Sequence, residues 1–238
     1  MIKKAILIIF TVFLCMSCSV KETNVLVFTK TAGYRHKSIE TGKQAFKKWA
    51  TAENWKISFT ENEQDLNDEK LKNIDVVVFM NTTENVFDEK SKKAFKKYIQ
   101  NGGGFVGLHG ASDTEFEWEW YTNMIGAQFR DHPKIQKAKL LVNTAENHPA
   151  IKHLEETFYV TDEWYNFKEP VSENVTVLIS LDETSYEGKK MDGVHPISWI
   201  QEYKGGRIFY TGMGHTKEIY SNPLFVKHIV EGVNWASN

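Results

Sequence analysis

The sequence predicts an α/β fold on a mainly parallel sheet, and three observations carry that reading. Continuous apolar runs at 24–29, 75–80 and 105–109 mark strands covered on both faces. Stretches with helical apolar spacing lie between them. The chain of 238 residues, 41% hydrophobic and 25% charged, with 29 Lys+Arg against 31 Asp+Glu, has an ordinary globular composition and enough length for one sizeable core. The charge balance excludes a nucleic-acid binder driven by phosphate neutralisation and an acidic disordered tail. Two cysteines exclude a disulfide-rich scaffold.

Taken in order, 24–29 is the first strand, and 38–50 is a helix with Ile39, Ala45, Phe46 and Trp49 on one side. Residues 55–60 form a second strand, 65–71 a short helix and 75–80 the strongest buried strand. The lysine-coated helix at 87–100 carries an apolar stripe through Ala94, Phe95, Tyr98 and Ile99, and 105–109 is another buried strand. Alternation of this kind places ligands at the carboxyl ends of the strands. Further strands are expected at 135–142, 157–161, 175–181 and 196–202. Gly205-Gly206 then reads as a hairpin turn into 207–211. A last helix, 223–235, starts on proline. No repeat or linker interrupts 24–238, which is one domain.

The first residues are an address. Lys3 and Lys4 precede an apolar run too short to span a bilayer, and Ser17-Cys18 ends it before a polar stretch. This resembles a bacterial lipoprotein signal: residues 1–17 a signal peptide, Cys18 the lipid carrier, 18–23 a tether, and the protein exported to the cell envelope. A plain signal peptide without lipid is the simpler reading of the same pattern. Both cysteines, at 15 and 18, belong to this address, so the folded domain has no thiol nucleophile.

Gly102-Gly103-Gly104 closes a helix and precedes a strand, the reverse of a phosphate loop, so it is a C-cap and turn. The loop 29–36, with Lys30, Arg35 and His36, follows the first strand and precedes the first helix, where cations and free N–H groups hold a phosphate, a carboxylate or sugar oxygens. A flavin-phosphate site would also lie here, and a solvated loop is the plain alternative. Gly107-Leu108-His109-Gly110-Ala111 has the pattern of a nucleophile elbow with histidine in place of Ser or Cys. His109 is therefore a general base, an orienting donor or a metal ligand, against the alternative of a structural histidine. Gly212-Met213-Gly214-His215 repeats the pattern. Polar clusters at Asp131-His132, Asp162-Glu163-Trp164-Tyr165 and Asp192 to His195 add candidates, the aromatic rings being suited to pyranose faces. None has the short-range spacing of a zinc motif, so a divalent metal would have to be assembled across the fold. No other cofactor is indicated.

Phe28-Thr29-Lys30-Thr31, Tyr34-Arg35-His36, the run from Gly103 to His109, Asp162 to Tyr165, Pro196-Ile197-Ser198-Trp199 and the run from Gly206 to His215 together resemble the ThuA-like (trehalose utilisation) family. That resemblance covers most of 24–236 and implies a class I glutamine amidotransferase-like fold: a flavodoxin-like three-layer α/β/α sandwich with a mostly parallel central sheet. In the amidotransferase relatives the elbow carries cysteine and a late strand leads to His-Pro-Glu. Here His109 and His215-Thr216-Lys217 stand there instead, which rules out glutamine hydrolysis. The family implies disaccharide catabolism, including routes through 3-keto sugars, and a small-molecule carbohydrate partner. The expected enzyme is a hydrolase or lyase in which His36, His109 and His215 carry acid/base chemistry. Lys30 and Arg35 would hold an oxyanion or hydroxyls, and Asp113 and Glu163 would bind sugar hydroxyls or orient a histidine. Trp164, Tyr165, His132 and His195 would complete the substrate site. A carbohydrate-binding lipoprotein without catalysis, and a flavodoxin-like redox carrier, are the competing classes.

Overall fold

The apolar runs of the N-terminal half become neighbouring strands of one sheet. The computed structural model describes residues 22–168, 171–188, 191 and 193–238. The expected signal peptide, Cys18 and Asp192 lie outside the described residues. In chain order the elements are β1 (Thr23–Phe28), α1 (Ile39–Glu53), β2 (Trp55–Thr60), α2 (Asp68–Leu71), β3 (Val76–Met80), α3 (Glu89–Gln100), β4 (Gly104–Leu108), α4 (Glu119–Ile125), β5 (Gln128–Asp131), β6 (Gln136–Val142), β7 (Thr157–Asp162), β8 (Asn166–Lys168), β9 (Thr176–Leu181), β10 (His195–Tyr203), β11 (Gly206–Thr211) and α5 (Pro223–Ala236). Short 3-10 turns lie at Glu63–Asp65, His109–Asp113 and Glu218–Ser221.

The main sheet runs β2-β1-β3-β4-β11-β10-β9-β6-β7, and β5 pairs with β8 apart from it. Its first five strands are parallel to one another. From β10 onward every pairing is antiparallel. The two helix layers follow from alternation along the strands. Phe79 packs on Phe95, Phe105 and Tyr121, on the α3 and α4 side. Its neighbour Met80 faces Gly42 of α1, where an added Cβ would lie 2.5 Å from the sulfur. Helix α5 packs against β3, β4 and β11, and its end approaches so closely that a Cβ at Gly104 would lie 2.2 Å from the Ala236 carbonyl oxygen. The fold is thus an α/β sandwich of the expected class, and the aromatic residues fill its core.

Local chemistry sets the boundaries. Asp88 accepts from the Ser91 N–H at the start of α3, and Asn222 accepts from Leu224 N–H at the start of α5, with Pro223 in its first turn. The helix expected over 65–71 is split, because Asn62 caps a 3-10 turn and Asn67 caps a separate short helix. The hairpin turn is made by Lys204 and Gly205, both at positive φ (52° and 107°), as a tight antiparallel turn requires, and Gly206 already belongs to β11. The strand expected over 105–109 stops at Leu108, where His109 turns at φ 44°. Sheet pairing starts at Thr23, inside the expected tether. Among the described residues no helix is long and apolar enough to cross a membrane.

Candidate functional site

Four chain segments reach one point at the carboxyl ends of the parallel strands. His36 follows β1, His109 follows β4, His215 follows β11, and Glu163 arrives from the end of β7. Each of these side chains offers one nitrogen or oxygen atom, and the four atoms lie within 4.8 Å of one another. His36, His109 and Glu163 are buried, while the His215 ring keeps 17% of its surface exposed.

The turn at His109 is a strained elbow. A non-glycine residue at positive φ costs about 1–2 kcal/mol, and close packing holds it there. A Cβ at Gly110 would lie 2.7 Å from the Thr82 carbonyl oxygen, so the chain passes hard against the end of β3. His109 Nδ1 donates to the Gly212 carbonyl at 2.7 Å. A carbonyl only accepts, so in the neutral ring Nε2 carries the lone pair. That nitrogen lies 3.2 Å from His215 Nδ1 and 3.4 Å from Glu163 Oε2. Tyr165 packs on the other side, its ring centre 3.9 Å from that of His109.

Glu163 is the hub. Its Oε2 faces His215 Nδ1 at 3.0 Å, and its Oε1 lies 3.1 Å from His132 Nδ1, which also meets the Pro133 carbonyl at 2.9 Å. Burial pushes its carboxyl up, but the imidazoles of His109 and His215 outweigh burial and hold it below the usual carboxylate range. Burial drives His36 the other way, down to about 2, and its neighbours His109 and His215 act in the same direction, so this ring stays neutral. The His36 Nδ1 is buried with no hydrogen-bond partner among the described residues. Asp113, half-buried, is pushed up to about 7 by desolvation and by the Glu84 carboxylate.

Two further residues hold the loops in place. Asp162 accepts from Gly214 N–H at 2.7 Å and from Thr216 N–H at 2.9 Å, and so fixes the backbone on both sides of His215. Asn81, after β3 at φ 57°, donates to Ser38 Oγ at 3.1 Å and to the Gly214 carbonyl at 3.2 Å. Asn81 is absent from the sequence expectations, although its place at the end of the strongest buried strand is the signal that would have found it.

Other expected site residues lie differently. Lys30 pairs with Glu63 at 2.7 Å, and the Arg35 guanidinium makes two 2.9 Å bonds to Glu61. Each cation is already partnered by a carboxylate. Trp164 is corrected from a sugar-facing ring to a core residue: it is fully buried and its indole donates to the Gln136 carbonyl at 2.9 Å. His195 is likewise a support. Its buried ring donates from Nε2 to the Tyr165 carbonyl at 2.8 Å, with Glu183 and the Tyr186 hydroxyl on Nδ1, so it holds the chain that carries Tyr165. His132, 42% exposed, stays at the edge of the cluster.

A family model described as ThuA, trehalose utilisation, matches residues 24–236. A ThuA-like protein from Bacteroides uniformis has a similar structure, with TM-score 0.81 and 25% identity over 94% of this chain and 95% of that one. A second, from Parabacteroides merdae, has TM-score 0.72 and 18% identity over 92% and 91%. A GMP synthase component from Thermoplasma acidophilum shares the fold, with TM-score 0.53 and 16% identity over 91% and 96%. No curated protein matches.

Proposed function

Because the chain belongs to the ThuA, trehalose utilisation, family, we propose that it is an exported, lipid-anchored protein acting on a glycoside or keto-sugar in carbohydrate catabolism. One observation carries the catalytic reading: three imidazoles meet one ionised carboxylate at the carboxyl ends of the parallel strands. No thiol takes part, since both cysteines precede residue 19.

The arrangement suits proton transfer. Glu163 faces His215 Nδ1, which favours the proton on that nitrogen and leaves Nε2 as the lone pair of a partly exposed ring. His215 then takes a proton from a sugar hydroxyl, or from the carbon beside a keto group, and returns it to the departing oxygen. Tyr165 packs on the His109 ring and holds it in place. Export and the anchor rest on the basic, apolar and Ser17-Cys18 segments of the first residues.

The test is turnover of glycosides and 3-keto-glycosides by the wild type and by His109→Ala and His215→Ala. Loss of the acid/base group should lower kcat by about 100-fold or more. Unchanged turnover in both variants removes the mechanism. Sugar binding with no turnover in the wild type makes the protein a binding lipoprotein instead.

A further inference from the structure

We propose that His36, His109, His215 and Glu163 form a binding site for one divalent transition-metal ion, held by three imidazole nitrogens and one carboxylate oxygen. This goes beyond the sugar reading and does not depend on it: that reading describes the metal-free protein, with the His215 proton on Nδ1, whereas a bound ion takes the Nδ1 lone pair and moves the proton to Nε2.

The first argument is the spacing of the donor atoms. Ions of this class bind imidazole nitrogen and carboxylate oxygen at about 2.1 Å, so two donors on one ion stand about 3.0 Å apart at a right angle and about 3.4 Å apart at the tetrahedral angle. Among three of the four donors the separations are 3.0 Å for His215 Nδ1 to Glu163 Oε2, 3.2 Å for His215 Nδ1 to His109 Nε2, and 3.4 Å for His109 Nε2 to Glu163 Oε2, and the His36 donor lies within 4.8 Å of each. All three fall in that interval.

The second argument is the set of the rings. An imidazole bound through nitrogen has its centre about 3.2 Å from the ion, and three such rings splayed at about 100° have centres about 5 Å apart. Here the centres of His36, His109 and His215 are 5.0, 5.1 and 5.1 Å apart, with interplanar angles of 90°, 83° and 78°. The rings thus form a near-equilateral, mutually perpendicular triad around a common point.

Third, the surroundings match what ligating residues need. The Gly212 carbonyl fixes His109 with its Nε2 lone pair free, and His132 Nδ1 stands 3.1 Å from the other carboxylate oxygen of Glu163. Hydrogen bonds alone serve this cluster poorly. His109 Nε2, His215 Nδ1 and Glu163 Oε2 crowd one point, and the buried His36 Nδ1 has no partner among the described residues. Three imidazoles and one carboxylate without a thiolate favour Zn, Fe, Co, Ni or Mn over Ca or Mg, which take all-oxygen sites. Four protein donors also leave positions open in a five- or six-coordinate shell for oxygen from outside the protein.

The test is elemental analysis of the protein purified without chelator, with titration of the metal-free protein by Co(II) followed by visible absorption. One ion per chain and a saturating Co(II) spectrum are expected. His215→Ala and Glu163→Gln should weaken Co(II) binding by more than about 100-fold, and His132→Ala, one step removed, by about 10–100-fold. Circular dichroism checks that the variants fold. Should the fully buried His109 resist substitution, His215→Ala and Glu163→Gln still decide the matter. A folded wild type that takes up no Co(II), or variants that bind it as tightly as the wild type, overturns the site. Sugar turnover by a protein that takes up no metal overturns the site and leaves the sugar reading intact. Stoichiometric metal with no turnover upholds the site while the sugar reading falls.

Discussion

The two halves of the sheet contribute differently. The parallel strands β2-β1-β3-β4-β11 form the more deeply buried half, and β1, β4 and β11 deliver His36, His109 and His215 from their ends. The antiparallel extension β10-β9-β6-β7 carries more exposed positions and supplies what organises those histidines: Glu163 at the hub, Asp162 under the His215 loop, and His195 holding Tyr165. The lesson is a division of labour in which a rigid sheet presents the imidazoles and a second layer of polar contacts sets their geometry.

If that division is right, the largest stability loss comes from the parallel half. Phe79 touches Phe28, Phe87, Phe95, Phe105 and Tyr121, so Phe79→Ala should cost about 3–5 kcal/mol in denaturant unfolding. A loss below that of any polar variant in the extension would break the comparison. Asp162→Asn comes next. It replaces one acceptor oxygen with a donor against a buried N–H, costing about 1–3 kcal/mol, and should lower activity more than its stability loss explains, because Gly214 and Thr216 are released.

A pH-dependent effect, absent at neutral pH, lies at the junction of the halves. His228 of α5 reaches Ser198 of β10 at 3.0 Å, and burial lowers it to about 3. The unfolded chain protonates this ring below its ordinary value near 6.5 while the folded one resists. The contribution is therefore complete above about pH 6.5 and lost toward pH 3, by up to about 1.4 kcal/mol per pH unit. His228→Gln should flatten the acid limb of stability against pH, and an unaltered slope would remove this residue from the account. The smallest effect belongs to Arg35→Met, whose ion pair with Glu61 lies at the surface. Stability should move by less than about 1 kcal/mol, and a raised KM on sugars at constant kcat would return Arg35 to the substrate site.

What was legible in the sequence follows the same division. The parallel strands and the three histidines at their ends are written in local apolar runs and strand-end turns, which need no knowledge of distant partners. The role of Glu163 depends on β7 lying against β6 and reaching back across the fold, a long-range pairing that no local pattern encodes. Trp164 stands between Glu163 and Tyr165 in the sequence, yet only the fold decides which of these neighbours turns toward the histidines. The segment around α4 alternates Glu with Phe and Trp from Glu115 to Trp120, which hides a short helix behind a strand-like period.

The positive φ angles at Asn81, Glu84, His109 and Glu115 bear on how the molecule would respond to selection. Glycine relaxes the backbone at each of these positions, but at Asn81 and Glu115 it forfeits the bonds to Ser38, Gly214, Val86 and Phe87. At position 109 a mutant library could gain that backbone relief only by erasing the central imidazole, so selection for heat resistance and selection for the site pull against each other there.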